Sequence, residues 1–172
     1  LEERRIVKSG TTALDLGEKA CRELLRGLEH SVTSIGFLIF VTQTPDHSQP
    51  CNAAILHGRL GLDPSVGSMD INLGCSGYVY GLFTAAVMLK TLAKDVLLVV
   101  GDTLSTMVNP LDRSSGILFG DAASATLLTN ANSKDMFFDL NSDGGGYDSI
   151  IVPAGGARRP SSIETSIEKE DQ

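Results

Sequence analysis

At 172 residues, the chain has the length of one compact unit with a sizeable core. Apolar residues make up 42% and charged residues 20%, a globular balance, and no run approaches the ~18 apolar residues of a membrane-spanning helix. The net charge of −7 argues against a non-specific nucleic-acid surface, although it leaves room for a local basic patch against a phosphate-bearing ligand.

The chain opens on Leu1-Glu2-Glu3-Arg4-Arg5, with no initiator Met and no apolar signal core. It is therefore expected to begin mid-protein or to have been trimmed. Thr11 or Thr12 can cap a helix to about Arg26, with Leu14, Cys21, Leu24, Leu25 and Leu28 near helical spacing. Ile35 to Val41 is nearly all apolar, the mark of a strand buried on both faces. A polar loop, Thr42 to Gln49, leads to Pro50, which suits the first turn of a helix ending near Gly61. Val66 to Leu73 reads as a further strand, and Val96 to Val100 as another buried one, stopped by Gly101-Asp102. Between them, Ser76 to Ala93 is long, almost uncharged and apolar on nearly every side, which predicts a helix in the centre of a larger body. Ile117 to Leu128 reads as an interrupted strand, and Phe137 to Leu140 and Ile150 to Val152 as shorter ones. The tail from Ser161 is polar, with a charge-rich stretch from Glu164 to Asp171.

Alternating strands and helices predict a layered α/β fold, with a mixed, mostly parallel sheet around a buried helix. Gly77, Gly81 and Ala85 fall four apart on that helix and form a smooth stripe. The rest of the chain looks too short to surround such a helix, so the stripe is expected to be exposed unless more structure covers it. That structure would be a second half of the polypeptide or a second subunit.

Cys21, Cys51 and Cys75 are odd in number and widely spaced, a poor disulfide framework. There is neither a CxxC nor a Cys/His cluster with zinc spacing, so no metal and no cofactor is expected. A reducing cytoplasm is the expected compartment. Within Asp70-Ile71-Asn72-Leu73-Gly74-Cys75-Ser76-Gly77, a strand passes through a tight turn into the long helix. Cys75 then lies at a helix N-terminus, a setting whose N–H groups and macrodipole favour a thiolate. Flanking Gly74 and Gly77 allow the turn and leave room for a substrate. A buried, inert cysteine is the alternative, and the local pattern leaves both open.

The stretch Asp70 to Gly81, DINLGCSGYVYG, resembles the active-site segment of the β-ketoacyl-ACP synthase III family, within the thiolase superfamily. Further segments fall in that family's order: Glu3-Arg4-Arg5-Ile6, TTALDLGEKA from Thr11, TPDHSQPCNAA from Thr44, NPLDRSSGILFGDAASATLL from Asn109 and LNSDGGGYD from Leu140. The resemblance covers essentially the whole chain. It implies that residues 1–172 are the N-terminal half of a thiolase-like fold, lacking its first strand region and its C-terminal half.

The resemblance further implies a homodimeric condensing acyltransferase of fatty-acid or related lipid or polyketide synthesis. Cys75 would take an acyl group from acyl-CoA and pass it to the carbanion formed as malonyl-ACP loses carbon dioxide. The family's stabilising His and Asn belong to the second half, and His30, His47 and His57 match neither. Cys75 would supply one oxyanion donor from its own N–H. Arg113 stands where the family has an arginine beside the adenine of CoA; a surface arginine paired with Asp112 is the other reading. Gln49 stands where many members carry a Phe that walls the acyl pocket across the dimer; a solvent-facing loop residue is the other reading.

Two rival functions stay in view: a non-catalytic fragment or scaffold subunit, and a cysteine acyl-CoA hydrolase using a histidine such as His47. Other patterns carry less. Asp139 to Gly144 mimics the opening of a calcium loop, but its twelfth position is Ile150 rather than Glu. Gly120 to Ala125 lacks the Lys of a phosphate loop. Cys51 sits at a helix start, Cys21 on an apolar helix face, and Arg158-Arg159-Pro160 reads as a solvated turn.

Overall fold

The computed structural model describes residues 3–28, 31–109, 113, 116–130 and 135–168. The first helix, α1, runs Ala13–Gly27. Asp15 donates its N–H to Thr12 Oγ1 at 3.3 Å, and Thr12 N–H donates to Asp15 Oδ2 at 3.1 Å. This reciprocal box satisfies two donors that the helix start leaves open. Leu14, Cys21 and Leu25 fall on its buried side.

Strands β1 (Ile35–Val41), β2 (Gly67–Ile71), β3 (Asp95–Asp102) and β4 (Ala122–Leu128) form one sheet in the order β2-β1-β3-β4. The first three are parallel, and β4 runs antiparallel to β3. Helix α2 (Asn52–Leu60) joins β1 to β2, and α3 (Gly77–Leu92) returns the chain across β1 to β3. The two crossovers travel in opposite directions, so the usual right hand requires their helices on opposite faces. That is the arrangement found. Leu38, Phe40, Leu97 and Val99 pack with α1 and α2, and Ile39, Val41 and Leu98 pack with α3. Burial on both faces explains why β1 and β3 are apolar at nearly every position. Gly61, at φ 66°, ends α2 in the left-handed conformation. A short helix, α4 (Ile163–Glu168), lies in the polar tail.

The mostly parallel layered sheet matches expectation; several details do not. The stripe on α3 is reversed. Gly77, Gly81 and Ala85 are the buried side of the helix, because small residues let α3 settle onto the sheet. A Cβ on Gly77 would lie 2.6 Å from Val41 Cγ1, and one on Gly81 would lie 2.8 Å from Leu98 Cδ1. The exposed side carries Tyr78, Val79, Phe83 and Val87, each 39–46% exposed. Helix α3 is thus apolar nearly all round, packed on the sheet on one side and only partly covered on the other, where Phe83 meets Phe138 edge-on at 5.4 Å and the Tyr80 hydroxyl donates to Asn141 O at 3.0 Å. Gly101-Asp102 does not stop β3, which pairs with β4 through Asp102. The strand expected from Ile117 begins at Ala122, after a turn in which Ile117 and Leu118 are exposed. The segments 137–140 and 150–152 form no strand; Phe137 is 94% and Ile150 91% exposed, and among the described residues neither has a neighbouring strand to pair with.

The segment before α1 is tied to the start of β4. Asp121 N–H donates to Arg5 O at 2.8 Å, Val7 N–H to Asp121 Oδ2 at 2.8 Å, and Arg4 Nη1 to Phe119 O at 2.9 Å. Burial pushes the Asp121 carboxyl up, but donations from the Ser105 hydroxyl and from the N–H groups of Val7 and Ser105 outweigh it and hold the group below its ordinary 3.8. A carboxyl lowered in the folded state stabilises above its unfolded value and loses that contribution as pH falls through the folded one. Wild-type protein and Asp121→Asn should therefore differ most near neutrality, and the gap should shrink as pH falls below about 3.8. Urea unfolding from pH 7 to pH 3 measures this; a gap independent of pH would contradict it.

Candidate active site

The carboxyl ends of β1, β2 and β3 lie side by side, where open α/β sheets bind ligands. Thr42 N–H donates to Ile71 O at 3.1 Å, extending the β1–β2 ladder by one bond. From the end of β2 the chain passes Asn72 and Leu73 into the turn Gly74-Cys75-Ser76. Gly77 N–H donates to Gly74 O at 2.8 Å, and Val79 N–H to Ser76 O at 3.0 Å, which starts α3. Cys75 is exposed at this junction, at the positive end of the helix dipole.

The other two thiols differ. Cys21 is buried, and loss of solvation pushes its thiol up to about 12, so it is inert near neutrality. Cys51 stands half-buried at the N-cap position of α2, and its side chain makes no capping hydrogen bond.

Two carboxylates that the sequence reading gave no role organise the surroundings. Asp70, in β2, accepts from Asn52 N–H at 2.8 Å and Ala53 N–H at 2.7 Å, so the strand leading to Cys75 caps α2. Asp102, at the end of β3, binds the loop that leaves β1. Its Oδ1 accepts from Thr42 Oγ1 at 2.8 Å, Gln43 N–H at 2.7 Å, and the Thr44 N–H and hydroxyl at 3.0 Å each. The only signal was an acidic residue ending an apolar strand, and its partners lie 58–60 residues away.

Gln49 is exposed on the loop before α2, and the Gln49–Pro50 peptide is cis. Arg113 is exposed on a turn in the β3–β4 connection, and its neighbour Asp112 lies outside the described residues. Among the described residues no hydrogen bond or ion pair joins Cys75 to Gln49, Arg113 or a histidine. His47 is exposed in the loop after β1, and His57 Nε2 lies 3.1 Å from Asp63 O; His30 is outside the described residues. The calcium-like stretch closes on itself, with Asp143 Oδ1 accepting the Gly145 N–H at 2.8 Å. No group of metal-holding side chains occurs among the described residues, and no helix there is long and apolar enough to cross a membrane.

Residues 69–144, which include the end of β2, the turn with Cys75 and all of α3, match a known family model, that of 3-oxoacyl-[acyl-carrier-protein] synthase III. A protein of Campylobacter jejuni provisionally named 3-oxoacyl-[acyl-carrier-protein] synthase 3 is 39% identical over 160 residues, covering 93% of this chain and 45% of the relative. A crystal structure of a 3-oxoacyl-(acyl-carrier-protein) synthase III superimposes with a TM-score of 0.89 at 40% identity, over 95% of this chain and 50% of the other. The chain belongs to the β-ketoacyl-ACP synthase III family. A 3-oxoacyl-(acyl-carrier protein) synthase from Burkholderia xenovorans LB400 agrees, with a TM-score of 0.83, 41% identity, and coverage of 96% of this chain and 48% of that one. The fold described above is accordingly the thiolase-like layered fold of the synthase III structures. The chain spans about half the length of the curated synthase III relatives it matches.

Proposed function

We propose that this chain carries the acyl-accepting part of a condensing acyltransferase. The reading rests on Cys75, exposed at the start of α3 inside the stretch matched to the synthase III family. The Cys75 thiolate attacks the thioester carbonyl of acyl-CoA; a new S–C bond forms, and the CoA thiolate leaves. Malonyl-ACP then loses carbon dioxide, and the resulting carbanion attacks the acyl-cysteine. The S–C bond breaks, β-ketoacyl-ACP departs, and the thiolate returns. As the carbonyl becomes tetrahedral, its oxygen takes up negative charge, and the N–H of Cys75 is one donor placed to stabilise it. The histidine and asparagine that assist decarboxylation in the family belong to the half of the fold that these residues do not match.

Arg113 fits a contact with the adenine and phosphates of CoA, since a guanidinium both stacks and pairs with phosphate. Gln49 fits the wall of the acyl pocket across a homodimer, where a polar side chain changes which acyl groups are accepted. On this reading residues 1–172 are the N-terminal half of the fold, and the exposed apolar side of α3 is covered by the remaining half or a partner subunit. The working compartment is the cytoplasm, where acyl-CoA and ACP meet a reduced thiol. The test is product formation by the full-length protein from acyl-CoA and malonyl-ACP. β-Ketoacyl-ACP should form with the parent protein and be lost with Cys75→Ala; equal product from both proteins would overturn the reading.

A further inference from the structure

We propose that Asp102 is a positioning residue for Cys75, acting through Gln43 and Gly74; this rests on the acyl-accepting role proposed for Cys75. Asp102 forms no hydrogen bond with Cys75, so any effect on the thiol passes through the loop between them. One carboxylate oxygen gathers two backbone N–H groups and two hydroxyls from Thr42, Gln43 and Thr44. Thr103 N–H donates back to Thr44 Oγ1 at 2.9 Å, closing the ring of bonds. The end of β3 therefore dictates where the loop after β1 lies.

Gln43 is the member of that loop that reaches the turn holding the nucleophile. A Cβ built on Gly74 would lie 2.5 Å from Gln43 Oε1 and 3.1 Å from its Cδ. The Gln43 amide thus occupies the space above Gly74, the residue immediately before Cys75. Any side chain at position 74 displaces it, since the obstructing atoms are the far end of a flexible side chain rather than backbone. The chain of contacts runs from β3 to the β1 loop and on to the turn after β2. Acyl transfer needs the sulfur within a few tenths of an ångström of its attack geometry, and a misplacement of about 1 Å costs about a hundredfold in rate.

The test uses the full-length protein and single-turnover acylation of Cys75, with the best of acetyl-, butyryl- and octanoyl-CoA. Gln43→Ala and Gly74→Ala should each slow the maximal acylation rate about tenfold, with the half-saturating acyl-CoA concentration changed by less than about threefold. The melting temperature of Gln43→Ala should stay at the parental value, because the side chain is exposed. The double variant should be no slower than either single one, because both remove the same contact. Asp102→Ala should lose at least as much as Gln43→Ala, and Asp102→Asn, which keeps an acceptor oxygen, should recover to within about threefold of the parent.

Parental rates in Gln43→Ala and Gly74→Ala would overturn the proposal while leaving Cys75 as the acyl acceptor. So would losses that multiply to about a hundredfold in the double variant, since independent effects multiply. A parent protein that never carries acyl on Cys75 would remove both this proposal and the function on which it rests.

Discussion

Cys75→Ala lowers acyl transfer from acyl-CoA by at least about a thousandfold, because removing a covalent nucleophile leaves only binding and orientation to act on the substrate. The loss appears in the maximal rate, since acyl-CoA still finds the same surface. Folding should be almost untouched. The thiol is exposed, and substitutions at such positions shift stability by about 0.5 kcal/mol or less. A variant that keeps more than about a tenth of the parental rate would show that the acyl group never depends on this sulfur.

Gly81→Leu has the largest expected effect on stability. A Cβ alone at this position would meet Leu98 Cδ1 at 2.8 Å and Val41 Cγ2 at 3.0 Å. Alanine there gains about 1 kcal/mol of helix propensity against that crowding, so its net effect is small. Leucine adds three further carbons against a side of α3 that is fully packed on the sheet. Overpacking of this kind costs about 1–3 kcal/mol, a fall of roughly 2–12 °C in melting temperature for a chain of this size. Acylation should fall with it, because pushing α3 off the sheet moves the turn that holds Cys75. Within residues 1–172 alone, where the other side of the same helix is exposed, Val87→Ala should change stability by only about 0.5 kcal/mol. Equal losses from the two substitutions in thermal unfolding would contradict the observed orientation of α3.

That orientation also marks how far the sequence could be read. β1 and the core of β3 were visible as short, nearly unbroken apolar runs, because both faces of these strands are buried and their length is that of a strand. The ends of α1 and α2 were visible in their capping residues, Thr12 and Gly61. For α3 the sequence showed a helix without a polar side, and such a helix carries no sign of which side meets the sheet. The small residues proved to be the packed side, since close approach between helix and strand requires them. Phe137 to Leu140 and Ile150 to Val152 have strand-like composition, yet a strand needs a neighbour to pair with. Composition does not reveal one.

At the site, Cys75 was legible because strand, turn and helix are consecutive in the chain. Asp70 and Asp102 were not, because each acts on a loop or helix start distant in sequence and brought near only by the order of the strands. The docking of Arg4 and Arg5 beside Phe119 and Asp121 has the same character. Both segments stand out for their resemblance to the family, but only the folded chain joins them. Gln43, an exposed polar loop residue, gave no sign of its own before its amide was found above Gly74.

The most direct measurement is acyl labelling mapped to a residue. The full-length protein is incubated with radiolabelled acyl-CoA in the absence of malonyl-ACP, digested, and its peptides analysed by mass spectrometry. One thioester-linked acyl group is expected, on the peptide containing Cys75, discharged when malonyl-ACP is added. Label on Cys51 or a histidine, or no stable label while acyl-CoA is hydrolysed, would contradict this expectation.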